Sequence, residues 1–310
     1  MNLGLKHKGT KFCRIFGRLN ALLQVKIFIM KEFRHKKDLM AYLQSLRKNG
    51  HSIGFVPTMG ALHKGHLGLV LESLKDNDYT VVSIFVNPTQ FDNPEDLEKY
   101  PRTYETDKML LNTLDENIIV YHPDALDLYE GEVKSESFDF DGLEKEMEGK
   151  HRPGHFDGVG TVVKKLFEVV QPDKAYFGEK DFQQLQIIKK LVEKEKLPVQ
   201  IVPVPIFREQ DGLAMSSRNR RLTPVQRMTA PYIYHLLVQV QYMFQSHDIP
   251  TLKKFVYEAI DAHPEFKIEY FEIADEKTLR PVTEKKTGNK YRGFIVVYAG
   301  KVRLIDNIQL

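Results

Sequence analysis

Apolar residues recur along this chain in two alternating periods. Residues 36–49 carry Leu39, Tyr42, Leu43 and Leu46 at helical spacing and stop at Gly50. Residues 52–56 read as a strand, 65–75 as a helix, and 79–86 (YTVVSIFV) as a β-branched strand of the kind buried on both faces. The alternation continues with helix 104–114, strand 117–121, helix 157–170 and strand 174–177. Helix 181–195 follows, with Phe182, Leu185, Ile188 and Val192 on one face, then strand 199–204. Strands alternating with helices predict an α/β fold, a parallel sheet with helices on both faces. After about residue 206 the order changes. Two helices (224–246 and 251–262) precede three strands (267–274, 293–299 and 301–305), and 283–292 is a polar, turn-rich loop. That order predicts a smaller α+β domain with an antiparallel sheet.

The length of 310 residues suits two domains. The expected division is a basic extension over 1–24 outside the fold, a Rossmann-like domain over 25–206, and the smaller domain over 207–310. Hydrophobic residues at 42% and charged residues at 28% exclude a wholly disordered chain. No apolar run approaches the roughly 20 residues of a membrane span. The net charge of +3 points to no polyanionic partner. It hides an asymmetry: Lys6, Lys8, Lys11, Arg14, Arg18 and Lys26 crowd the first 30 residues, which hold no acid. The remainder has 39 basic against 42 acidic residues. Cys13 is the one cysteine, so the rest of the chain has no disulfide and no thiolate metal site. Three readings of the tail stand: an arm for nucleic acid or lipid, a transit peptide, or an over-extended start. The last is preferred, because the first β-like run begins near residue 25.

Four segments carry chemistry. FVPTMGALHKGH (55–66) lies where a strand ends and a helix begins, the crevice in which open α/β sheets bind ligands. Free N–H groups there favour phosphate, Gly65 permits close approach, and His63 and His66 can both donate to the same anion. The bland alternatives are a surface coincidence or a metal pair, and no further ligands for a metal lie nearby. FVNPTQF (85–91) offers Asn87 and Gln90, neutral groups suited to a small hydroxylated substrate; Asn-Pro also occurs as an ordinary capped turn. It is followed by YPR (100–102), whose Arg102 reads equally well as a surface charge. FGEKDFQQL (177–185) brings Gly178 for close approach and Lys180 as a point charge for polyphosphate. In the same segment Asp181 is a helix N-cap or a ribose ligand, and Gln184 faces the crevice of Gln90. RPGHF (152–156) either lines the site or shapes a turn. DGLAMSSRN (211–219), at the domain junction, sets Ser216, Ser217 and Arg218 in a row as grips for phosphate oxygens.

Together with YPRT, RPGHFDGV and the terminal RLIDN, these segments resemble the pantoate–β-alanine ligase (pantothenate synthetase) family of the H-x-G-H nucleotidyltransferase superfamily. The motifs run in family order over about 26–307. MSSR also resembles the mobile signature of class I aminoacyl-tRNA synthetases, but the chain has no room for their further domains. Thr89 departs from the family, where Met is frequent, and the basic tail lies outside its pattern.

The resemblance implies ATP-dependent condensation of pantoate with β-alanine, through pantoyl adenylate, to pantothenate, AMP and diphosphate. Catalytic roles fall to His66, His63, Lys180 and Arg218. ATP contacts are implied at Met59, Gly60, His63, Gly65, His66, Gly178, Glu179, Lys180, Asp181 and Phe207, and at Met215, Ser216, Ser217 and Arg218. Pantoate contacts are implied at Pro57, Met59, Asn87, Gln90 and Gln184, with Gln90 also meeting β-alanine. Mg²⁺ is expected on the nucleotide, with no protein metal site. A cytoplasmic homodimer is expected, with neither nucleic acid nor membrane as partner. The chemistry agrees: a carboxylate of pKa about 4 is already ionised at neutral pH, so adenylation needs in-line placement and charge stabilisation, not a general base. The rivals are another H-x-G-H nucleotidyltransferase, which would want more basic residues at the second pocket, and a nucleic-acid role for the tail.

Overall fold

The computed structural model describes residues 30–91 and 94–310; the β-like run at 25–29, Cys13 and the basic tail lie outside the described residues. Six strands form one wholly parallel sheet: β1 Lys31–Phe33, β2 Ile53–Thr58, β3 Tyr79–Ile84, β4 Ile118–Tyr121, β5 Lys174–Gly178 and β6 Gln200–Val204. Their order is β1-β4-β3-β2-β5-β6. The chain runs outward from β2 through β3 and β4, then returns to place β5 on the other side of β2. The carboxyl ends of β2 and β5 therefore flank a topological switch point.

Apolar spacing explains the layers. On one face lie α1 Lys36–Lys48, α7 His155–Val170 and α8 Phe182–Glu195, burying Leu39, Leu43, Phe167 and Leu185 against Phe55 and Phe177. On the other, α2 Lys64–Asp76 and α4 Tyr104–Asn112 cover Val56, Val82 and Tyr176 with Val70 and Leu111. Three short helices connect these layers: α3 Pro94–Glu98, α5 Ala125–Tyr129 and α6 Met147–His151.

The C-terminal part holds α9 Pro224–Thr229, α10 Tyr232–Met243, α11 Ile249–Asp261 and an antiparallel sheet. Its strands are β7 Phe266–Asp275, β8 Tyr291–Ala299 and β9 Val302–Gln309, in that order. Two expectations are corrected here. The helix over 224–246 is broken into α9 and α10, because Pro231 has no N–H with which to continue the ladder. The last strand runs to Gln309 rather than stopping at 305, pairing with β8 along its whole length. Leu236, Val256, Phe271 and Val297 form the core under this sheet. Among the described residues no helix is long and apolar enough to cross a membrane.

The two sheets are tied near the switch point. Asp306 and Arg208 pair through both guanidinium nitrogens, at 2.6 and 2.9 Å, with the carboxylate almost wholly buried. The Arg208 guanidinium also lies over the Tyr234 ring, 3.7 Å from its centre. Asn307 Nδ2 reaches the backbone carbonyls of Glu179 and Lys180, each at 2.9 Å, and its Oδ1 accepts from Arg292 at 2.7 Å.

Candidate active site

The turn after β2 is built by side chains that approach it from elsewhere. Gly60 (φ +80°) and Ala61 (φ +49°) are consecutive left-handed residues. Thr58 Oγ1 accepts from the Gly60 N–H at 3.1 Å while donating to the Ser83 carbonyl at 2.7 Å. Asp107, buried in α4, accepts from the Ala61 and Leu62 N–H groups at 2.9 and 2.8 Å. Burial raises the Asp107 pKa, and these bonds work against the rise.

The two histidines then cap α2 reciprocally. Gly65 N–H donates to His63 Nδ1 at 3.1 Å, and His63 N–H donates to His66 Nδ1 at 3.3 Å. An accepting Nδ1 places the proton of each neutral ring on Nε2, a tautomer assigned by the hydrogen-bond network. The rings lie 4.0 Å apart, centre to centre. Burial, the neighbouring His66 and the Lys180 charge push His63 down to about 3; burial and Lys180 push His66 down to about 4. Both are neutral donors at physiological pH. A Cβ on Gly65 would lie 2.9 Å from the His63 ring. One on Gly68 would lie 2.1 Å from the Phe207 ring, so that glycine lets Phe207 rest on the helix.

The residues expected at the site come together around one cavity of about 240 Å³. The β2 turn contributes Pro57, Met59, His63, Gly65 and His66. The β3 loop contributes Asn87 and Gln90, and the β5 turn contributes Gly178, Lys180, Asp181 and Gln184. Phe207, Met215, Ser216, Ser217 and Arg218 close it from the junction loop. Gly60 and Glu179 do not line it: Gly60 serves the bend, and the Glu179 carboxylate sits 3.8 Å from Arg292. Arg102 also lies elsewhere, exposed, its guanidinium near the Leu97 and Glu98 carbonyls.

Lys180 is half-buried and forms no salt bridge among the described residues, though its charge acts on the buried Asp306 carboxylate. Asp181 caps α8 by position, yet its side chain makes no capping hydrogen bond. Gln184 lines the same cavity, and among the described residues its side-chain amide has no hydrogen-bond partner. Asn87 differs. Its Nδ2 donates to Gln90 Oε1 and to the Gly158 carbonyl, both at 3.2 Å, and its Oδ1 accepts from Tyr129 at 2.6 Å and from Thr89. With both amide protons engaged, Asn87 ties Gln90 to the Gly158 carbonyl. The Gln90 carbonyl accepts from His155 Nδ1 at 2.8 Å and from Arg152 at 3.3 Å, so RPGHF buttresses this loop.

Residues 207–215 fold back on themselves, Met215 N–H bonding the Phe207 carbonyl at 2.9 Å. Ser216 Oγ accepts from the Arg218 N–H at 3.2 Å, and the Arg218 guanidinium pairs with Asp96 of α3 at 3.4 Å. Arg220 donates to the Leu62 carbonyl at 3.1 Å, fastening this loop to the histidine turn. A larger cavity, about 450 Å³, opens beside the antiparallel sheet and shares Lys180, Asp181, Gln184, Ser216 and Arg218 with the first.

Sequence reasoning missed Asp107, Gly68, Gly158, Arg208 and Arg220. YPRT pointed to the neighbourhood of Asp107, four residues on from its threonine. RLIDN contained Asp306 and Asn307 without revealing what they hold.

Neutral imidazole donors at a helix N-terminus, an unpaired lysine and a hydroxyl–guanidinium loop, gathered at the switch point of a parallel sheet, define an H-x-G-H nucleotidyltransferase-like site. Residues 31–309 match the family model described as pantoate-beta-alanine ligase. The chain belongs to that family. It is 54% identical to a pantothenate synthetase of Flavobacterium psychrophilum, over 90% of this chain and 99% of that one. Among solved structures it resembles the pantothenate synthetase of Thermus thermophilus, with 39% identity, a TM-score of 0.82, and coverage of 90% and 99%. It also resembles a Francisella tularensis pantoate-beta-alanine ligase complexed with beta-gamma ATP and beta-alanine, with 35% identity, a TM-score of 0.72, and coverage of 90% and 97%.

Proposed function

We propose that this chain joins pantoate to β-alanine at the expense of ATP, passing through pantoyl adenylate and releasing diphosphate, AMP and pantothenate. The observation that carries the reading is the pair of Nδ1-capped histidines beside an unpaired Lys180, across one cavity from Gln90 and Gln184. In the first step the pantoate carboxylate attacks the α-phosphate. Negative charge grows on the departing diphosphate, and the His63 and His66 Nε2–H groups with the Lys180 ammonium supply donors and charge fixed beforehand. Neutral imidazoles suit this task, since they donate without titrating near pH 7. Arg218 leaves Asp96 for phosphate oxygens, and residues 215–218 close over the nucleotide and keep water from the adenylate. In the second step the β-alanine amine, having lost its proton, attacks the acyl carbon and AMP departs.

Gln90 and Gln184 hold pantoate, with Pro57 and Met59 beside it, and Gln90 also meets β-alanine. Asp181 takes the ribose, and Gly178 and Phe207 border the nucleotide. The Mg²⁺ of the reaction is placed on the triphosphate's own oxygens, hard anionic ligands of the kind it prefers. The same reading divides the chain after about residue 206, supported by the two sheets and their separate strand directions, and extends to a cytoplasmic homodimer. The deciding experiment measures AMP release with ATP, pantoate and β-alanine present and with each omitted in turn. AMP formation that does not depend on pantoate would overturn the reading.

A further inference from the structure

We propose that Asp107 is a positioning residue for adenylate formation: its carboxylate holds the left-handed bend at residues 60–61, and through that bend sets His63 and His66. This rests on the function just proposed. Asp107 is 1% exposed, reaches no ligand-lining surface, and spends one oxygen on the Ala61 N–H and the other on the Leu62 N–H and Thr103 Oγ1. Ala61 is an L-residue at φ +49°, a conformation that persists only where its surroundings over-determine it. Two N–H groups converging on one carboxylate provide that restraint. Leu62 is fixed at both its N–H and its carbonyl, since Arg220 holds the latter from the junction loop. The next N–H, that of His63, is thereby aimed at His66 Nδ1, the bond that keeps the His66 proton on Nε2. Buried charge on α4 is thus converted into the tautomer of a ring on α2.

Only a carboxylate meets the demand. In Asp107→Asn the amide accepts one of the two backbone N–H groups but turns its own NH₂ toward the other. The bend loosens and both rings shift. A displacement of about 1 Å at reacting groups costs about 10²-fold in rate. The expected result is single-turnover pantoyl adenylate formation about 10²-fold slower, with pantoate affinity retained. In ¹⁵N spectra the His66 ring nitrogens should move from one tautomer toward a mixture.

The second-site variant Ala61→Gly distinguishes positioning from other roles, because glycine adopts the left-handed bend without restraint. Combined with Asp107→Asn it should recover about tenfold of the lost rate, the equivalent of relieving one left-handed L-residue. If Asp107→Asn does not fold, Thr103→Val, which removes the third donor to the same carboxylate, takes its place, with a smaller loss and the same rescue expected. Normal adenylation in Asp107→Asn overturns the proposal. So does a loss with unmoved histidine nitrogens and no rescue by Ala61→Gly. The two readings fail separately: wild-type protein that forms no adenylate defeats the function, while the ring-nitrogen spectra of the variants still decide the role of Asp107.

Discussion

The loop that carries Gln90 rests on a helix at a point where only glycine fits, and adding one carbon there should damage pantoate recognition alone. A Cβ on Gly158 of α7 would lie 2.2 Å from the Thr89 carbonyl oxygen, 2.5 Å from its carbon and 2.8 Å from Gln90 Cα. All three are backbone atoms, so no rotamer change relieves the overlap. Ordinary contact begins at 3.4 Å. The loop must therefore retreat by about 1 Å, and a misplacement of that size costs about 10²-fold. The same retreat carries Asn87 Nδ2 beyond reach of the Gly158 carbonyl, removing the bond that orients Gln90. The fold should survive. Alanine gains about 1 kcal/mol over glycine in a helix, and overpacking costs about 1–3 kcal/mol, which leaves a net loss of about 2 kcal/mol at most. Steady-state kinetics of Gly158→Ala should show kcat/KM for pantoate down about 10²-fold with the KM for ATP nearly unchanged. Gly160→Ala is the comparison: it gains the same helix propensity, and the atoms nearest its Cβ belong to the Phe138 and Phe140 rings, at 3.0 Å, instead of to the backbone of the Gln90 loop. A folded Gly158→Ala enzyme with wild-type kcat/KM for pantoate would refute the reasoning.

Three further outcomes follow from the site and its ties. His63 and His66 titrate at about 3 and about 4 when folded, against about 6.5 in an unfolded chain, so the unfolded state binds more protons and stability falls as pH drops through that window. His66→Gln, which keeps a capping-box residue at the same place, should flatten that acid limb in urea midpoints taken between pH 7 and 4; an unchanged limb contradicts the assignment. Lys180→Met should raise the His66 pKa, since its charge helps depress it, and slow adenylation about 10²–10³-fold; an unmoved titration in ¹H NMR counts against this electrostatic pairing. Asp306→Ala strands the buried Arg208 guanidinium and should cost about 3–5 kcal/mol in chemical denaturation, with a loss below 1 kcal/mol as the contrary result.

How much of this was legible in the sequence depended on where each residue's partner lies. His63, His66, Lys180 and the serine–arginine loop were readable because strand-to-helix turns concentrate phosphate chemistry and few side chains supply it. The alternating periods likewise marked the parallel sheet, since each helix must bury one stripe on it. Asn87 was readable as polar but not as already satisfied, because Tyr129 and Gly158 meet it only in three dimensions. Gly68 and Gly158 were missed, because the Phe207 ring and the Thr89 backbone that press against them are distant in sequence. Asp107 looked like any acid in the first turns of a helix. Pro231 splits a segment whose apolar spacing reads as one helix, because the missing N–H acts on the ladder whatever the spacing.

Asn307 has a consequence for the order in which the protein is made. Its side chain holds the carbonyls of Glu179 and Lys180, residues that leave the ribosome well before it does. The parallel sheet can pair its strands as soon as β6 is synthesised, yet the turn that carries Lys180 is not clamped until the last strand docks beside β8. A half-made chain thus has its parallel sheet while the Lys180 turn still waits for its clamp.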